Sequence, residues 1–400
     1  MMNSHKTTSA GRIGLLITSL WFSGLALAAT PPAANSALDS PATQNTSPPQ
    51  RTHKKGRSTP NAQSTAATDS GTKAVSPKKR PVKTRSAKTK QRQKAPKLAT
   101  PTATASLPSS GPHFTSAKAS LQLTVNGKAI PYQRFFYTLS PKQQLRFALG
   151  NNNDPYELSI NGQILKEEHR TWQWQAPDKP GQYQLQLMEK LTHKTLTLAL
   201  FVLTPLKGKA QAINGFQIGR YPPAKDGKKE YEAPKGFIEV TAKNAGYYVS
   251  PHFQLAQFTC KQKCTFPAYV ALQPDLIEKL ELLLEEVNKR GLRLDKFEVM
   301  SGFRTPYYNK SIRNVTHSRH IYGGAADIFI DVSPKDGVMD DLNGDRKYDK
   351  QDAALLYDIA DKISTRHPDL AGGIGQYSST GAHGPFVHVD VRGTQARWGK

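Results

Sequence analysis

Cysteine is nearly absent from this chain, since only Cys260 and Cys264 occur among its 400 residues, in the run TCKQKC. A fold held together by several disulfides is therefore excluded. The short spacing suits a local disulfide in an oxidising compartment, and two free thiols are the alternative. A structural zinc site at this run has weak support, because His252 is the one further candidate ligand nearby in sequence.

Aromatic residues are missing from Thr30 to Gly111, where Pro, Ser, Thr, Ala and Lys recur without a helical or strand period. Such a segment cannot bury enough apolar surface to offset the entropy lost on ordering. We therefore predict a disordered linker over residues 29–111. Acidic residues are scarce there as well. Fifteen Lys and Arg stand against Asp39 and Asp69, so this segment carries an excess of thirteen of the chain's 24 net positive charges.

A long hydrophobic run is also lacking. The apolar stretch Ile13 to Leu27 is short for a membrane-spanning helix, which needs ~20 residues. It follows Lys6 and Arg12 and ends at small residues around Ala28, the pattern of a secretory signal peptide. We predict a signal peptide over residues 1–28, with an uncleaved membrane anchor as the alternative. The mature protein is then secreted across the inner membrane and is periplasmic or attached to the cell envelope.

Export narrows the partners that the basic linker could have. A run of positive charge attracts nucleic acid, anionic lipid or anionic cell-wall polymer. An exported protein meets the last two, so we expect lipid or cell-wall polymer and no nucleic acid. A solvated spacer without any partner is the alternative.

Short alternating segments predict an all-β region over residues 112–205. The turn signals Asn126-Gly127 and Asn161-Gly162 separate some of them. The segments are LQLTV (121–125), LRFAL (145–149), YELSI (156–160), TWQWQ (171–175), YQLQL (183–187) and LTLALFVL (196–203). Six or seven strands at this spacing indicate a small antiparallel sandwich of the immunoglobulin-like type. An ordered connector over residues 206–248, rich in Gly, Pro and Lys, is expected to follow.

Helix and strand patterns mix in the C-terminal region, residues 249–400. An apolar stripe predicts a helix from Pro274 to Arg290, with Gly291 at its C-terminal cap. FEVM (297–300) then reads as a buried strand that leads into a loop carrying Arg304. The chain is therefore predicted to be α+β overall.

Three side chains in this region could bind a metal ion. His320 and Asp327 are separated by IYGGAA, whose glycines allow a tight turn, and His388 lies in FVHVDV. On a strand, His388 and Asp390 share a face. Three protein ligands leave a fourth tetrahedral position for water, the arrangement that a metal-dependent hydrolase needs.

Three blocks containing these residues resemble a known family. SGFRTPYYN (301–309), SRHIYGGAAD (318–327) and GPFVHVDVRG (384–393) are similar to the blocks of zinc D-alanyl-D-alanine carboxypeptidases and murein endopeptidases, which share a hedgehog-like zinc fold. The resemblance covers about residues 249–398. It implies a central antiparallel sheet with flanking helices, and Zn²⁺ bound by His320, Asp327 and His388. It also implies that Arg304 contacts the substrate near the scissile bond, where a cation can stabilise negative charge.

The sequence departs from the family pattern at one catalytic position. Members place an acidic general base three residues before the last histidine ligand, and Pro385 occupies that position here. Asp390 is the first candidate for the base and His383 the second. Alternatively, Asp390 orients a metal ligand without touching the metal, in which case its loss would weaken metal binding rather than abolish chemistry.

An acidic run, DLNGDRKYDKQD (341–352), resembles a dockerin-type calcium loop. Arg346 replaces the usual glycine at position 6, and a helix is expected from Asp352 to about Ile363. The predicted Ca²⁺ ligands are Asp341, Asn343, Asp345, the Lys347 carbonyl, Asp349 and Asp352. A merely acidic surface turn is the alternative.

Two functions follow from these observations. The first is an exported zinc peptidase that cleaves stem peptides or cross-links of peptidoglycan, with the substrate class implied by the resemblance. The second is a cell-wall-binding protein whose zinc site is structural or degenerate, which the proline at position 385 favours. A third possibility is that the sandwich and the basic linker attach the chain to anionic polymer.

Overall fold

A computed structural model describes residues 114–150, 154–263 and 265–399. The predicted signal peptide, the predicted linker and Cys264 lie outside these ranges. The described residues belong to one compact unit and form a mixed α and β structure with several sheets and few helices. The predicted α+β class is therefore confirmed. None of the described helices has the length and apolar character that crossing a membrane requires.

The first nine strands form two sheets with a shared hydrophobic core. One sheet has the order β2-β1-β4-β7 and the other β3-β9-β8-β5-β6. The strands are β1 (Leu123–Val125), β2 (Lys128–Ala129), β3 (Arg134–Leu139), β4 (Gln144–Leu149), β5 (Tyr156–Ile160), β6 (Gln163–Ile164), β7 (Thr171–Gln175), β8 (Gly181–Glu189) and β9 (Thr195–Val202). All six segments predicted from alternation are strands. Trp172 and Phe147 are among the large side chains in the core.

One pairing in this region differs from the predicted antiparallel arrangement. Strand β3 pairs parallel to β9, with Phe136 opposite Ala199. The sequence pattern missed β3 because Phe135 and Phe136 are both buried, so the strand lacks the alternation of a half-exposed strand. The burial along β3 therefore does not alternate, and a period of two could not mark this strand in the sequence.

The connector is ordered, and it runs between the two sheets above and the C-terminal region. It contains β10 (Ala212–Ile213), β11 (Phe216–Gln217), β12 (Ile238–Val240) and two short 3-10 turns at Lys225–Gly227 and Lys229–Tyr231. Strand β12 pairs with β13 (Ala268–Val270). The Tyr221 hydroxyl donates to the Ile321 carbonyl at 2.8 Å, which ties the connector to the segment that carries His320.

The C-terminal region is built on a five-stranded sheet of order β14-β15-β17-β16-β18. Its strands are β14 (Glu298–Ser301), β15 (Ala325–Phe329), β16 (Gly373–Tyr377), β17 (Phe386–Asp390) and β18 (Ala396–Trp398). Neighbours are antiparallel except β16 and β18. Because side chains alternate along a strand, β17 directs Val387 and Val389 to one face and His388 to the other.

Helices cover the apolar face of this sheet. The described residues contain α1 (Pro274–Lys289), α2 (Pro306–Ser311) and α3 (Lys350–Arg366), and α3 packs on β16 and β17 and against α1. Pro274 is the first residue of α1, as predicted, and Leu280, Leu284 and Val287 are fully buried along its stripe. Helix α3 includes the helix expected after the acidic run. The opposite, polar face of the sheet is left for the candidate site.

A buried lysine connects α1 to the strand that carries His388. Lys279 is fully buried, and its Nζ donates to the carbonyls of Leu370 at 3.2 Å and Asp390 at 2.9 Å. Burial disfavours the charged amine and lowers the pKa of Lys279 to about 8. The Asp390 carboxylate limits that decrease, and Arg397 and Arg392 add to it.

This lysine should make stability depend on pH. Because the folded pKa is lower than the unfolded one, the unfolded chain binds more protons between about pH 8 and 10.5, so stability rises with pH in that window. We expect wild-type protein to gain about 2 kcal/mol relative to Lys279→Met between pH 8 and pH 10. Urea unfolding of both proteins at several pH values measures the difference. Parallel pH profiles for the two proteins would contradict the lowered pKa of the buried Lys279.

Candidate metal centre and its cavity

The register of two strands sets the first two residues of the candidate metal centre side by side. Asp327 of β15 lies directly opposite His388 of β17, and Ala325 lies opposite Asp390. Residues opposite each other in an antiparallel pair point to the same face with their Cβ atoms about 4.5–5.5 Å apart. The pairing alone therefore brings a carboxylate next to an imidazole on the polar face.

A tight turn before β15 supplies the third residue. His320 lies in a 3-10 turn, Arg319–Tyr322, that ends at Gly323 with φ of 69°. A Cβ at Gly323 would lie 2.3 Å from the carbonyl oxygen of Ala271, so both the backbone angle and the packing require glycine. The predicted glycine turn between His320 and Asp327 is thus present, and it folds His320 back over the start of β15.

The three side chains converge on one point. His320 Nε2 lies 3.2 Å from Asp327 Oδ1 and 3.2 Å from His388 Nδ1, and His388 Nδ1 lies 2.8 Å from Asp327 Oδ1. All three residues are buried. Ligand atoms bound at about 2.0–2.1 Å to a tetrahedral ion lie about 3.3 Å from one another. The predicted trio therefore forms a group that could hold a metal ion.

The outer nitrogen of each imidazole also has a partner. His320 Nδ1 lies 2.7 Å from the Gly302 carbonyl, and His388 Nε2 lies 3.2 Å from Asp390 Oδ2. Metal-binding histidines generally donate their second N–H to a carbonyl or carboxylate, which fixes the ring and its tautomer. Both rings are thus held with the inner nitrogens, His320 Nε2 and His388 Nδ1, directed at Asp327.

The buried charges of this group are strongly coupled. Burial works to raise the pKa of Asp327, but His320 and His388 hold it well below its usual range. Burial lowers the pKa of His320. For His388, burial works in the same direction, but its bonds to Asp327 and Asp390 outweigh it and raise the pKa. The raised pKa of His388 favours a proton on its ring, and metal ligands have to be deprotonated, so a higher pH favours metal binding at this group.

Arg304 lies beside the group, as predicted. Its Nη2 lies 2.5 Å from Asp327 Oδ2, and its Nε donates to Ser301 Oγ at 2.8 Å. The arginine therefore occupies one carboxylate oxygen of Asp327 and leaves the other to face the imidazoles. Arg304 also lines the cavity described below, where a bound molecule could reach it.

The placement of Asp390 favours the second of its two predicted roles, orienting a metal ligand, over the role of general base. Asp390 is fully buried on the outer side of His388, and its carboxylate accepts bonds from the Gly373 backbone at 2.7 Å and from Arg392 Nε at 3.0 Å. Burial works to raise the pKa of Asp390, but His388 and Arg392 hold it far below its usual range. This carboxylate is a poor proton acceptor. Its contacts fit the alternative role of orienting His388.

His383 is also badly placed for a base. It lines a different cavity, of about 270 Å³, together with Met339 and Pro385, and its Nδ1 lies 2.8 Å from the Gly384 carbonyl. Its ring stands edge-on to Phe386 with 4.9 Å between centroids. These contacts do not support His383 as the base, because proximity in the chain does not fix the side of the strand to which a loop residue turns, and the assignment stays a prediction.

A cavity of about 470 Å³ opens onto the three metal-site residues. Its lining includes residues that sequence analysis did not select, among them Lys225, Tyr231, His317, Arg319, Arg392 and Trp398. Two of them come from the connector, about ninety residues before His320, so no local pattern could have marked them. Arg392 could have been found, because it lies two residues after Asp390 in the same block.

The acidic run, residues 341–352, agrees with the predicted calcium loop in one backbone angle, but its carboxylates do not point to a common centre. Arg346 adopts φ of 65°, the left-handed conformation that position 6 of such a loop requires. The Asp341 carboxylate accepts bonds from the backbone of residues 344–346, and Asp352 accepts from Leu342 and Asp349. Across the described ranges, only the His320 group brings three such ligand atoms within 4.8 Å. Calcium binding stays a prediction.

Cys264, the second partner of the predicted disulfide, lies outside the described residues. Cys260 is buried, and its Sγ accepts a bond from the Thr305 backbone at 3.5 Å. This contact places Cys260 next to the loop that carries Arg304.

No protein-family model, curated protein or solved structure matches the chain. The family resemblance thus rests on the three short sequence blocks alone.

Asp390 should act on the metal through His388. We expect Asp390→Asn to lower Zn²⁺ affinity about 10- to 100-fold, because His388 loses the partner that orients it. Competition with a chromophoric chelator measures the affinity, and the melting curve shows that the variant is folded. Asp361→Asn is the matched control, since Asp361 on α3 also pairs with an arginine, Arg397, whereas the carboxylate bonds of His388 go to Asp327 and Asp390. Wild-type affinity in a folded Asp390→Asn would contradict this role.

Proposed function

We propose that this protein is an exported zinc metallopeptidase that cleaves peptide bonds in the stem peptides or cross-links of peptidoglycan, as an endopeptidase or a carboxypeptidase. His320, Asp327 and His388 are the proposed zinc ligands. The protein acts in the periplasm or cell envelope, and peptidoglycan is its partner. The basic linker adds affinity for anionic cell-wall polymer or lipid.

One observation carries the proposal. Two imidazole nitrogens and one carboxylate oxygen lie 2.8 to 3.2 Å apart, and all three residues line a cavity large enough for part of a peptide. Two histidines and one carboxylate are a ligand set of catalytic zinc, which keeps a fourth position open. A structural zinc site is usually closed by four protein ligands. The peptidoglycan substrate is supported by the resemblance of the three sequence blocks.

The roles of the residues follow from their contacts. Zinc bound at this group would polarise a peptide carbonyl and make a water molecule a stronger nucleophile. Arg304 holds Asp327 in place and offers a fixed cation to negative charge that develops on the substrate. Asp390 and Arg392 hold the His388 ring.

His317 is the proposed proton carrier. It lines the cavity, it is half-buried, and it is the one histidine of the lining that is outside the trio. Its Nδ1 lies 3.2 Å from the Tyr322 hydroxyl, which leaves Nε2 for exchange with a substrate or water. An imidazole is suited to accept and return a proton near neutral pH.

A cell-wall-binding protein without catalysis is the second candidate function. The observation that favours it is the lack of an uncommitted carboxylate, since Asp327 is the one acidic residue among the described residues that line the cavity. In that case the metal would stabilise the fold and the cavity would only bind wall peptides.

The finer fold assignments belong to the same proposal. The sheet of β14 to β18 would be a hedgehog-like zinc domain, and the two sheets of β1 to β9 would be an immunoglobulin-like sandwich. The Ca²⁺ loop would stabilise the start of α3, because Asp349 caps that helix.

Digestion of purified sacculi tests the function. We expect the zinc-loaded protein to release peptides or shortened muropeptides, and EDTA to abolish the release until Zn²⁺ is restored. Mass spectrometry of the products identifies the bond that is cut. We expect His317→Ala to keep its zinc and to lose about 100-fold or more in turnover. His193→Asn is the control, because His193 is exposed in the sandwich region and asparagine tolerates its positive φ.

The outcomes separate the two functions. Sacculi that bind the zinc-loaded protein without any change in their peptides would support the binding protein and contradict the peptidase. Full turnover in His317→Ala would be consistent with the peptidase function but would contradict the role of His317 as proton carrier.

A further inference from the structure

A short loop, residues 302–305, contacts two of the three proposed metal ligands, and we call it the Arg304 loop. The Gly302 carbonyl lies 2.7 Å from His320 Nδ1, and the Arg304 amide donates to the His320 carbonyl at 3.2 Å. The Arg304 side chain reaches Asp327, with 2.5 Å between Nη2 and Oδ2. The position of this loop therefore sets the orientation of His320 and Asp327.

The segment of residues 258–262 lies against the Arg304 loop. The Phe303 amide donates to the Phe258 carbonyl at 2.9 Å. A Cβ at Gly302 would lie 2.6 Å from the Cα of Phe258, so the two backbones meet at a distance that only glycine allows. The segment includes the first part of the run TCKQKC, which has no role in the proposed function.

Gln262 ties the end of the Arg304 loop to the connector. Its Oε1 accepts from the Thr305 hydroxyl at 2.7 Å, and its Nε2 donates to the Gln217 carbonyl at 3.1 Å. Thr305 is fully buried, and its Oγ1 also accepts from the Tyr308 amide at 3.1 Å, which caps α2. The hydroxyl thus donates to one fixed partner and accepts from another, so it cannot rotate without losing a bond.

We infer that Gln262 is a positioning residue of the metal group. Its amide fixes Thr305 between the connector and α2, and the Arg304 loop, which ends at Thr305, orients two of the metal ligands. This role rests on the zinc ligands of the proposed function, but it requires no cleavage of a peptide bond.

Loss of the Gln262 amide should weaken zinc binding in a folded protein. Gln262→Met keeps the length of the side chain and removes both bonds. We expect Zn²⁺ affinity to fall about 3- to 10-fold, the size expected for lost neutral hydrogen bonds, in a competition with a chromophoric chelator. Gln262 is half-buried, and Gln262→Ala is the second variant if the methionine does not fold. Gln257→Met is the matched control, because the Gln257 amide accepts from Gln254 within its own turn.

A double-mutant cycle tests whether Gln262 acts through Thr305. Thr305→Val removes the hydroxyl and with it the bond to Gln262. If the two residues act as a unit, their effects on zinc affinity are not additive. We therefore expect the double variant, Gln262→Met with Thr305→Val, to bind zinc as tightly as Thr305→Val alone.

The His320 ring provides a measurement in the zinc-free protein. Because a carbonyl can only accept, His320 Nδ1 carries the proton that faces Gly302, and its exchange with solvent can be followed by NMR. We expect Gln262→Met to speed this exchange about 3- to 10-fold. The backbone amides of β15 and β17, which report opening of the sheet, should keep their wild-type rates.

Three results would overturn this role of Gln262. They are wild-type zinc affinity in the folded variants, additive effects in the double-mutant cycle, and equal acceleration of the His320 proton and the sheet amides. Failure of the proposed function looks different. A wild-type protein that binds no zinc, or that binds zinc and cuts no bond in sacculi, contradicts the peptidase, while exchange of the His320 proton still decides the role of Gln262.

Discussion

In the C-terminal sheet, Asp327 on β15 lies directly opposite His388 on β17, and the metal group depends on this pairing. A shift of the register by one residue would turn each side chain to the helix-covered face. The register is fixed by burial on that face, where Ile328, Val387 and Val389 pack in the core under α3. In each strand, the apolar side chains on one face therefore fix the position of the polar side chains on the other face. His320 completes the group because the glycine turn returns the chain to the same face.

Burying this many charges requires partners for each. Asp327 and Asp390 are buried carboxylates, and each is bonded to an arginine and to an imidazole. Removing one partner would leave an uncompensated buried charge, which is strongly destabilising. The arginines beside the metal group thus support the fold as well as any chemistry. Arg319 is the exception, since its partners are two aromatic rings and one carbonyl.

Sequence alone located the metal group and much of the architecture. The three residues of the metal group occur in short blocks whose spacing reflects a local turn and a strand. Such local features can be predicted from the sequence. The contact of Asp390 with His388 could not be predicted from the sequence. Alternation along the strand shows that the two side chains share a face, but it does not show which atoms of His388 the carboxylate contacts. The position of Tyr231 in the cavity lining was missed for a different reason. Its contact with Arg319 joins segments about ninety residues apart in the chain. Strand β3 was missed because its burial pattern does not alternate.

X-ray absorption spectroscopy of the zinc-loaded protein tests the central claim most directly. The account predicts one equivalent of Zn²⁺ in a four-coordinate nitrogen and oxygen shell at about 2.0–2.1 Å, with multiple-scattering features of two imidazoles. It also predicts that His388→Ala loses one of those imidazoles and most of the bound zinc. Failure of the wild-type protein to bind stoichiometric zinc, or a shell with a sulfur ligand at about 2.3 Å, would contradict it.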